Sequence, residues 1–479
     1  MDATEAELIY LAGKDAVVEV LLKMDARIRA LEHFEQRVRL LEEKIASLTR
    51  NSTNSAKPPS SDGPGVIRPK KPKSKHRPGG QQGHEGHKRQ LLPVEEMDDV
   101  QEKYPERCER CTAALDPRTC EESSSPLRYQ VFELPKVKPV MTEYRCHELR
   151  CSCGYRTRAP IPPEVAHSQF GPAVHGAIAY LCSVHKIGRR GIVEIMNTLF
   201  GLDLCLGTVC NCLDRVSPAL EPVTEEIRET LAESGHLNID ETAWKCKGQR
   251  RYLWVFVSPL VVYFSIAASR GAKVLKSILG EAFDGIITSD DHSAYRRFHC
   301  KGLRQLCLAH LILKLKGLKE TRASPDAYLF AKHLLRELGH ILGCWHAFRD
   351  GYITREQLGN ATILMRARIK RYCLKYQDSP DRQVRTRARR TLKNWEHLFT
   401  FLFHEGVEPT NNRAERALRP PVQWRKLCFG NQSHNGERFT ERILTVTRTC
   451  QLQGRNPFHF LSDLMTAAFH GTPRPSLVG

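Results

Sequence analysis

A chain of 479 residues is too long for one ordinary domain and predicts three or four units. With 41% apolar and 27% charged residues it can bury a sizeable core, which excludes global disorder, and it has no run of about 18 apolar residues to cross a membrane as a helix. Against 54 Asp and Glu stand 73 Lys and Arg, a net charge of +19 that favours a polyanionic partner.

The first residues, MDATEAELIYLAGKD, are acidic and lack the basic start and apolar run of a secretory signal, so a cytosolic protein is expected. Val17, Leu21, Met24, Ile28 and Leu31 then step by 4, 3, 4 and 3, the seam of a coiled coil. Phe34, Val38, Leu41, Ile45 and Leu48 continue it after a stammer at Leu31–Phe34, and the expected partner is a second copy of the chain. Residues 1–50 are therefore read as an oligomerisation helix.

Residues 51–98 read as a flexible linker: Ser, Pro and Gly are abundant and apolar residues are few. Arg68, Lys70, Lys71, Lys73, Lys75 and Arg77 make one positive run, suited to phosphate contact through counterion release. Over 99–165, Cys108-Glu-Arg-Cys111 and Cys151-Ser-Cys153 flank a segment, Val131 to Tyr144, that reads as strands. Two close cysteine pairs about a β-rich loop suggest a zinc ribbon that binds DNA, with Cys120 and Cys146 as competing ligands. The 17 cysteines are odd in number and scattered, which suits reduced thiols in a cytosol.

Residues 166–236 predict helices over Ala173–Val184, Gly191–Phe200 and Thr208–Leu231, with Gly201 ending the second and Thr208 capping the third. The short turn between them resembles a helix-turn-helix. Residues 237–313 alternate differently: LNIDETAW, RYLWVFVSP and VVYFSIAAS read as strands, GAKVLKSILGEAF as a helix, and GIITSD and LRQLCLAH as further strands. That order predicts a mixed α/β sheet. Residues 314–404 are helical and strongly basic. Residues 405–445 look helical on both sides of Pro420-Pro421, and 446–479 form a C-terminal element.

Asp240 closes the apolar run LNI and Asp290 closes GIITS, so both carboxylates sit at strand ends, where they can converge on a hard divalent cation. Each has an acidic neighbour, Glu241 and Asp291, but strand alternation lets only one of each pair face a given side. Asp240 and Asp290 are preferred because each directly follows its apolar run; Asp291 stays open as an alternative to Asp290. The third acid would be Glu415 in Thr410-Asn-Asn-Arg-Ala-Glu-Arg416, about one turn into a helix capped by Thr410 or Asn411.

The strings RNSTNSAKPPSSDGP, RPGGQQGHEGH, HLNIDETAW, DHSAY, CLAH and NNRAERALRPPVQWRK together resemble the insertion sequence 66 transposases over nearly the whole chain. The resemblance implies a leucine-zipper-like start, a zinc-finger segment, a ribonuclease H-like catalytic core with an all-helical insertion, and a short C-terminal element. It also implies a DDE triad at Asp240, Asp290 and Glu415. Where the family shows Asp-Gly-Tyr this chain has Asp290-Asp291-His292, and the familiar Cys-Trp-Ala-His stands as Cys307-Leu308-Ala309-His310.

Such an enzyme would use two Mg²⁺ (or Mn²⁺) ions for phosphoryl transfer, with Asp240 bridging them and Asp290 and Glu415 each holding one. His310, Arg416, Arg419, Arg425 and Lys426 are candidate phosphate contacts. The expected activity is cleavage and strand transfer at the terminal inverted repeats of a mobile element, with accessory proteins of the element as possible partners. Two alternatives stand beside it: a non-catalytic DNA-binding regulator, and a metal-dependent nuclease that does not join strands.

Overall fold

The computed structural model describes residues 3–48, 89–119, 125–162, 165, 168–300, 302–321 and 324–478. The chain divides into two compact units, 68–140 and the remainder (1–67 with 141–479). The boundary cuts the expected cysteine-bearing unit in two, so Cys108 and Cys111 belong to the smaller unit and Cys151 and Cys153 to the larger. The basic run from Arg68 to Arg77 lies outside the described residues, as does Cys120. Among the described residues, no helix is long and apolar enough to cross a membrane.

In the smaller unit, the amide side chain of Gln130 grips Leu92 through both of its main-chain polar groups, each at 2.9 Å. Cys108 and Cys111 occupy a tight turn closed by Cys108 N–H to Ala113 C=O at 2.9 Å and Leu115 N–H to Glu106 C=O at 3.0 Å. The strands expected between Val131 and Tyr144 do not form. Pro135 and Pro139 remove ladder donors there, and Val131, Leu134, Val140 and Met141 lie exposed. In the larger unit, β1 (Glu148–Arg150) and β2 (Arg156–Arg158) form an antiparallel hairpin whose turn carries Cys151 and Cys153.

At the N-terminus α1 (Ala3–Leu11) precedes the long α2 (Lys14–Leu48). Along α2, Leu21, Met24, Ile28, Leu31, Phe34 and Val38 are all exposed, so this stretch of the apolar seam read in the sequence is uncovered among the described residues.

The main body begins with α3 (Pro172–Ser183), α4 (Arg189–Phe200) and α5 (Leu206–Ala232). Gly201 ends α4 in the left-handed region, φ 63°, as the sequence suggested. Thr208 is not the cap of α5: the helix starts two residues earlier, after Cys205, and the Thr208 hydroxyl meets the Cys205 Sγ at 3.3 Å. Val209, Val216, Leu220, Val223, Ile227 and Leu231 form the buried face of α5.

Five strands follow: β3 (His236–Cys246), β4 (Gln249–Val257), β5 (Val262–Ala267), β6 (Ile286–Ser289) and β7 (Arg304–Leu306). Their order in the sheet is β5-β4-β3-β6-β7. The first three pair antiparallel, while β6 and β7 run parallel to β3. Only Arg304–Leu306 of LRQLCLAH is strand; Leu308 already opens α8 (Leu308–Thr321), so His310 sits in a helical first turn. Between the later strands lie α6 (Ala272–Leu279) and α7 (Ser293–Phe298).

One sheet face, with Leu237, Ile239, Trp254, Phe256 and Ile287, packs in the same core as α5, α6 and Tyr295 of α7. The other, with Trp244, Leu253, Val255 and Phe264, packs under α13 (Asn412–Cys428) through Ala414, Ala417 and Leu418. Helix α13 runs unbroken through Pro420 and Pro421, where the sequence suggested two helical pieces. A separate core holds the basic helical segment, built from α9 (Pro325–Arg349), α10 (Arg355–Ala361), α11 (Ile363–Tyr376) and α12 (Arg382–Lys393).

The chain closes with α14 (His434–Leu452), which runs straight through position 445, and α15 (Pro457–His470). Helix α14 covers the free edge of β5. Thr449 and Thr445 accept the N–H groups of Val262 and Phe264, each at 3.0 Å, and Glu441 accepts that of Ile266. Four helical residues rise about 6 Å and two strand residues about 6.6 Å, so the two spacings stay in step and the edge is shielded from other strands.

Candidate active site

The register of β3 and β6 builds the site. Asn238 pairs with Thr288, and continuing that register by two residues sets Asp240 level with Asp290, on adjacent parallel strands. Asp240 lies opposite Val255 and therefore shares the α13 face with Trp244, whereas Glu241 lies opposite Trp254 and shares the other. Glu415 reaches the first of these faces because Ala414, Ala417 and Leu418 bury its helix against the sheet.

Asp240, Asp290 and Glu415, far apart in sequence, therefore share one face of the sheet, near enough for the charges of Asp290 and Glu415 to act on Asp240. Their carboxylate oxygens do not all lie within 4.8 Å of one another. Burial pushes the Asp240 carboxyl well above its ordinary range, and the negative charges of Glu241, Asp290 and Glu415 push it further. Its Oδ1 accepts only the Glu241 N–H, at 2.9 Å, and among the described residues no cation pairs with it. Asp290 accepts the His292 N–H at 2.9 Å and has Arg270 at 3.7 Å.

The acidic neighbours are occupied elsewhere. Glu241, its side chain fully buried, is held by the Arg270 guanidinium and the Tyr295 hydroxyl. Burial raises its pKa, partly offset by those two partners. Asp291 pairs with Arg390 of α12 at 2.9 Å. Of the two aspartates after β6, Asp290 is thus the one whose charge bears on Asp240.

Helix α13 is positioned by a residue that the sequence offered only as a possible cap. Asn411 makes no side-chain cap bond. Its amide instead donates to the Ile239 carbonyl at 2.8 Å and accepts from Asn238 at 3.0 Å, while its main-chain N–H meets Cys307 Sγ at 3.2 Å. Nothing in the sequence pointed to Arg270 or Tyr295 as the restraints on Glu241.

His310 Nδ1 lies 3.8 Å from Glu415. Arg416, Arg419 and Lys426 project from α13 as exposed side chains, and Arg425 is tied to the Ala243 carbonyl. Potential ligand atoms of Cys307, His310 and Glu415 lie within 4.8 Å of one another. Burial pushes the Cys307 thiol up to about 11, so it stays protonated at neutral pH.

A family profile described as "Transposase IS66 family" matches residues 167–438, a span containing all three carboxylates. The chain belongs to this family. A second profile, "Family of unknown function (DUF6444)", matches residues 14–90. Among curated proteins, the uncharacterized protein y4qI of Sinorhizobium fredii (strain NBRC 101917 / NGR234) is 24% identical over 300 residues, 57% of this chain and 55% of that protein. The uncharacterized protein y4hP of the same strain is 22% identical over 381 residues, 71% of this chain and 65% of that protein. The chain thus spans between about half and two thirds of the length of these relatives.

Proposed function

We propose that this chain is a DDE transposase that binds the terminal inverted repeats of its element, cleaves there and joins the ends to target DNA. The observation that carries this reading is the placement of Asp240, Asp290 and Glu415, from two neighbouring strands and the helix above them, on one face of the sheet, where the charges of Asp290 and Glu415 bear on Asp240. A strand order of β5-β4-β3-β6-β7, with three antiparallel strands followed by two parallel ones, supports a ribonuclease H-like core.

The three carboxylates would hold Mg²⁺ or Mn²⁺. Hard oxygen donors suit these ions, and like charges crowded without a cationic partner at Asp240 are relieved by a metal. When bound, the ions would activate the attacking oxygen and stabilise the leaving oxygen of a phosphoryl transfer. The chain's own work is positioning. Arg270 and Tyr295 keep Glu241 on the far side of the strand. Asn411 fixes the start of α13, and the exposed Arg416, Arg419 and Lys426 offer charge to the DNA backbone.

Arg68 to Arg77 would add non-specific DNA affinity, and the exposed seam of α2 would pair two copies. The cysteine turns suit zinc. In each, main-chain N–H groups face the first thiol and draw it below its ordinary pKa: those of Cys111 and Arg110 at Cys108, and those of Cys153 and Ser152 at Cys151. The deciding experiment is a strand-transfer assay with labelled terminal-repeat DNA, Mg²⁺ and a plasmid target, comparing wild type with Glu415→Gln. Joined product from wild type alone supports the transposase. Cleavage without joining moves the reading to a nuclease, and binding without either reaction to a regulator.

A further inference from the structure

A pocket opens beside the carboxylates and carries the opposite charge. Asp291, His310, Lys314, Arg387, Arg390 and Thr391 line a cavity of about 40 Å³, room for about three waters. Lys314 comes from α8, and Arg387 and Arg390 from α12, so the basic helical segment supplies most of the cations. Asp291 is the sole carboxylate in the lining, and Arg390 engages it. Among the described residues, neither Lys314 nor Arg387 has a carboxylate at ion-pair distance, and Arg387 Nε is buried without any hydrogen-bond partner. Burial lowers the pKa of both groups and repulsion from neighbouring arginines adds to it, against the opposing pull of Asp291 and, at Lys314, also of Asp290.

Cations held this way destabilise a fold unless something anionic joins them. We propose that this pocket is a phosphate-binding subsite, in which Lys314, Arg387 and Arg390 receive one phosphodiester of a DNA strand entering the acidic site. Its place supports this. Asp291 directly follows Asp290, and His310, on the pocket wall, lies 3.8 Å from Glu415. A phosphate here competes with Asp291 for Arg390, so Asp291 acts as the internal counter-ion of the empty pocket. That the anion is DNA rests on the transposase reading; the anion site itself rests on the unpaired cations.

The test uses the full chain with two probes, inorganic phosphate and a short labelled DNA duplex. Phosphate should raise the melting temperature of wild type above that in chloride of equal ionic strength, and Arg387→Met should abolish the rise. In chloride alone, Arg387→Met should melt at the same temperature as wild type or higher, because an unpaired charge is gone. For the duplex, the slope of log affinity against log salt should become shallower by about 0.9 in Arg387→Met and again in Lys314→Met. A lower melting temperature for Arg387→Met in chloride would make that residue a structural support and overturn the proposal. Unchanged salt slopes in both variants would do the same, and Lys314→Met gives that reading independently of how Arg387→Met folds. If wild type joins strands but both variants bind DNA as wild type does, the subsite falls and the transposase stands. If wild type joins nothing while the phosphate and slope effects hold, the transposase reading falls and the anion site stands.

Discussion

The side-chain amide of Asn411 donates to the main-chain carbonyl of Ile239 at 2.8 Å, one residue before Asp240. This bond couples segments separated by 172 residues and fixes the helix that carries Glu415 to the strand that carries Asp240. Asn238 completes the arrangement from the same strand at 3.0 Å, and all three residues are almost fully buried. The distance between the first and third acids is thus set by an amide that itself takes no part in the chemistry.

Asn411→Ala should therefore cost activity beyond its cost in stability. Leaving the Asn238 amide and the Ile239 carbonyl unpaired destabilises the fold by about 1–3 kcal/mol, visible in denaturant unfolding. Strand transfer per folded molecule should fall much further while DNA affinity is retained. Joining at the wild-type level per folded molecule would show that Glu415 is positioned without Asn411.

Glu441 gives a pH dependence outside the active site. It lies buried over the edge of β5 and accepts the Ile266 N–H, and burial pushes its pKa up to about 7. An acid raised on folding stabilises fully below its unfolded pKa of about 4.5, and that contribution is lost as pH rises through the folded value. Glu441→Gln keeps an acceptor for Ile266 and has no charge to bury. The two proteins should be equally stable near pH 4, and the variant should gain up to about 3 kcal/mol by pH 8. Parallel stability curves across that range would mean that Arg438, 2.8 Å away, already compensates the buried charge.

Much of the core was legible because its signals are local. Alternation in LNIDETAW gives β3 and, by parity, puts Asp240 and Glu241 on opposite sides of the sheet. The apolar stop at Ser289 likewise gives β6 and Asp290. Where the sequence misled, tertiary context decided. Val131 to Tyr144 has strand composition, but its prolines leave it without a ladder. CLAH reads as the end of a strand, yet Leu308 begins a helix there. Asn411 carries a cap's identity but spends its side chain on another strand, and the pairing of Asp291 with Arg390 joins segments that no local pattern connects.

The exposed face of α2 predicts an oligomer. Leu21, Ile28 and Phe34 are each more than half exposed, at 59%, 52% and 64%, an arrangement that water disfavours on a long helix with no other cover among the described residues. Removing residues 1–50 should convert an oligomer to a monomer in light scattering, and Ile28→Asp should do so within the full chain. Neither change should alter the melting of the α/β core. An unchanged mass would remove the coiled coil from the reading.

Purified protein should contain zinc by elemental analysis if the cysteine turns bind metal. Cys111→Ser and Cys153→Ser should each lower the zinc content, because a ligand of one turn is missing in either case. Zinc retained by one variant and lost by the other would assign the metal to a single turn. Its absence from wild type would leave Cys108, Cys111, Cys151 and Cys153 as ordinary thiols of two turns.

The acidic cluster makes its own stability prediction. In a chelating buffer at neutral pH, wild type holds Asp240, Asp290 and Glu415 together against their repulsion. Asp240→Asn removes the most buried of these charges and should raise the melting temperature there, the expected sign for a residue kept for function at a cost to the fold. Adding Mg²⁺ should raise the melting temperature of wild type by mass action and leave the variant nearly unmoved. The variant should still bind DNA, since its phosphate-facing cations are untouched, and should cut none. If Asp240→Asn instead lowered the melting temperature in the chelator, the carboxylate would be holding the sheet together, and the assignment of the triad would have to be withdrawn.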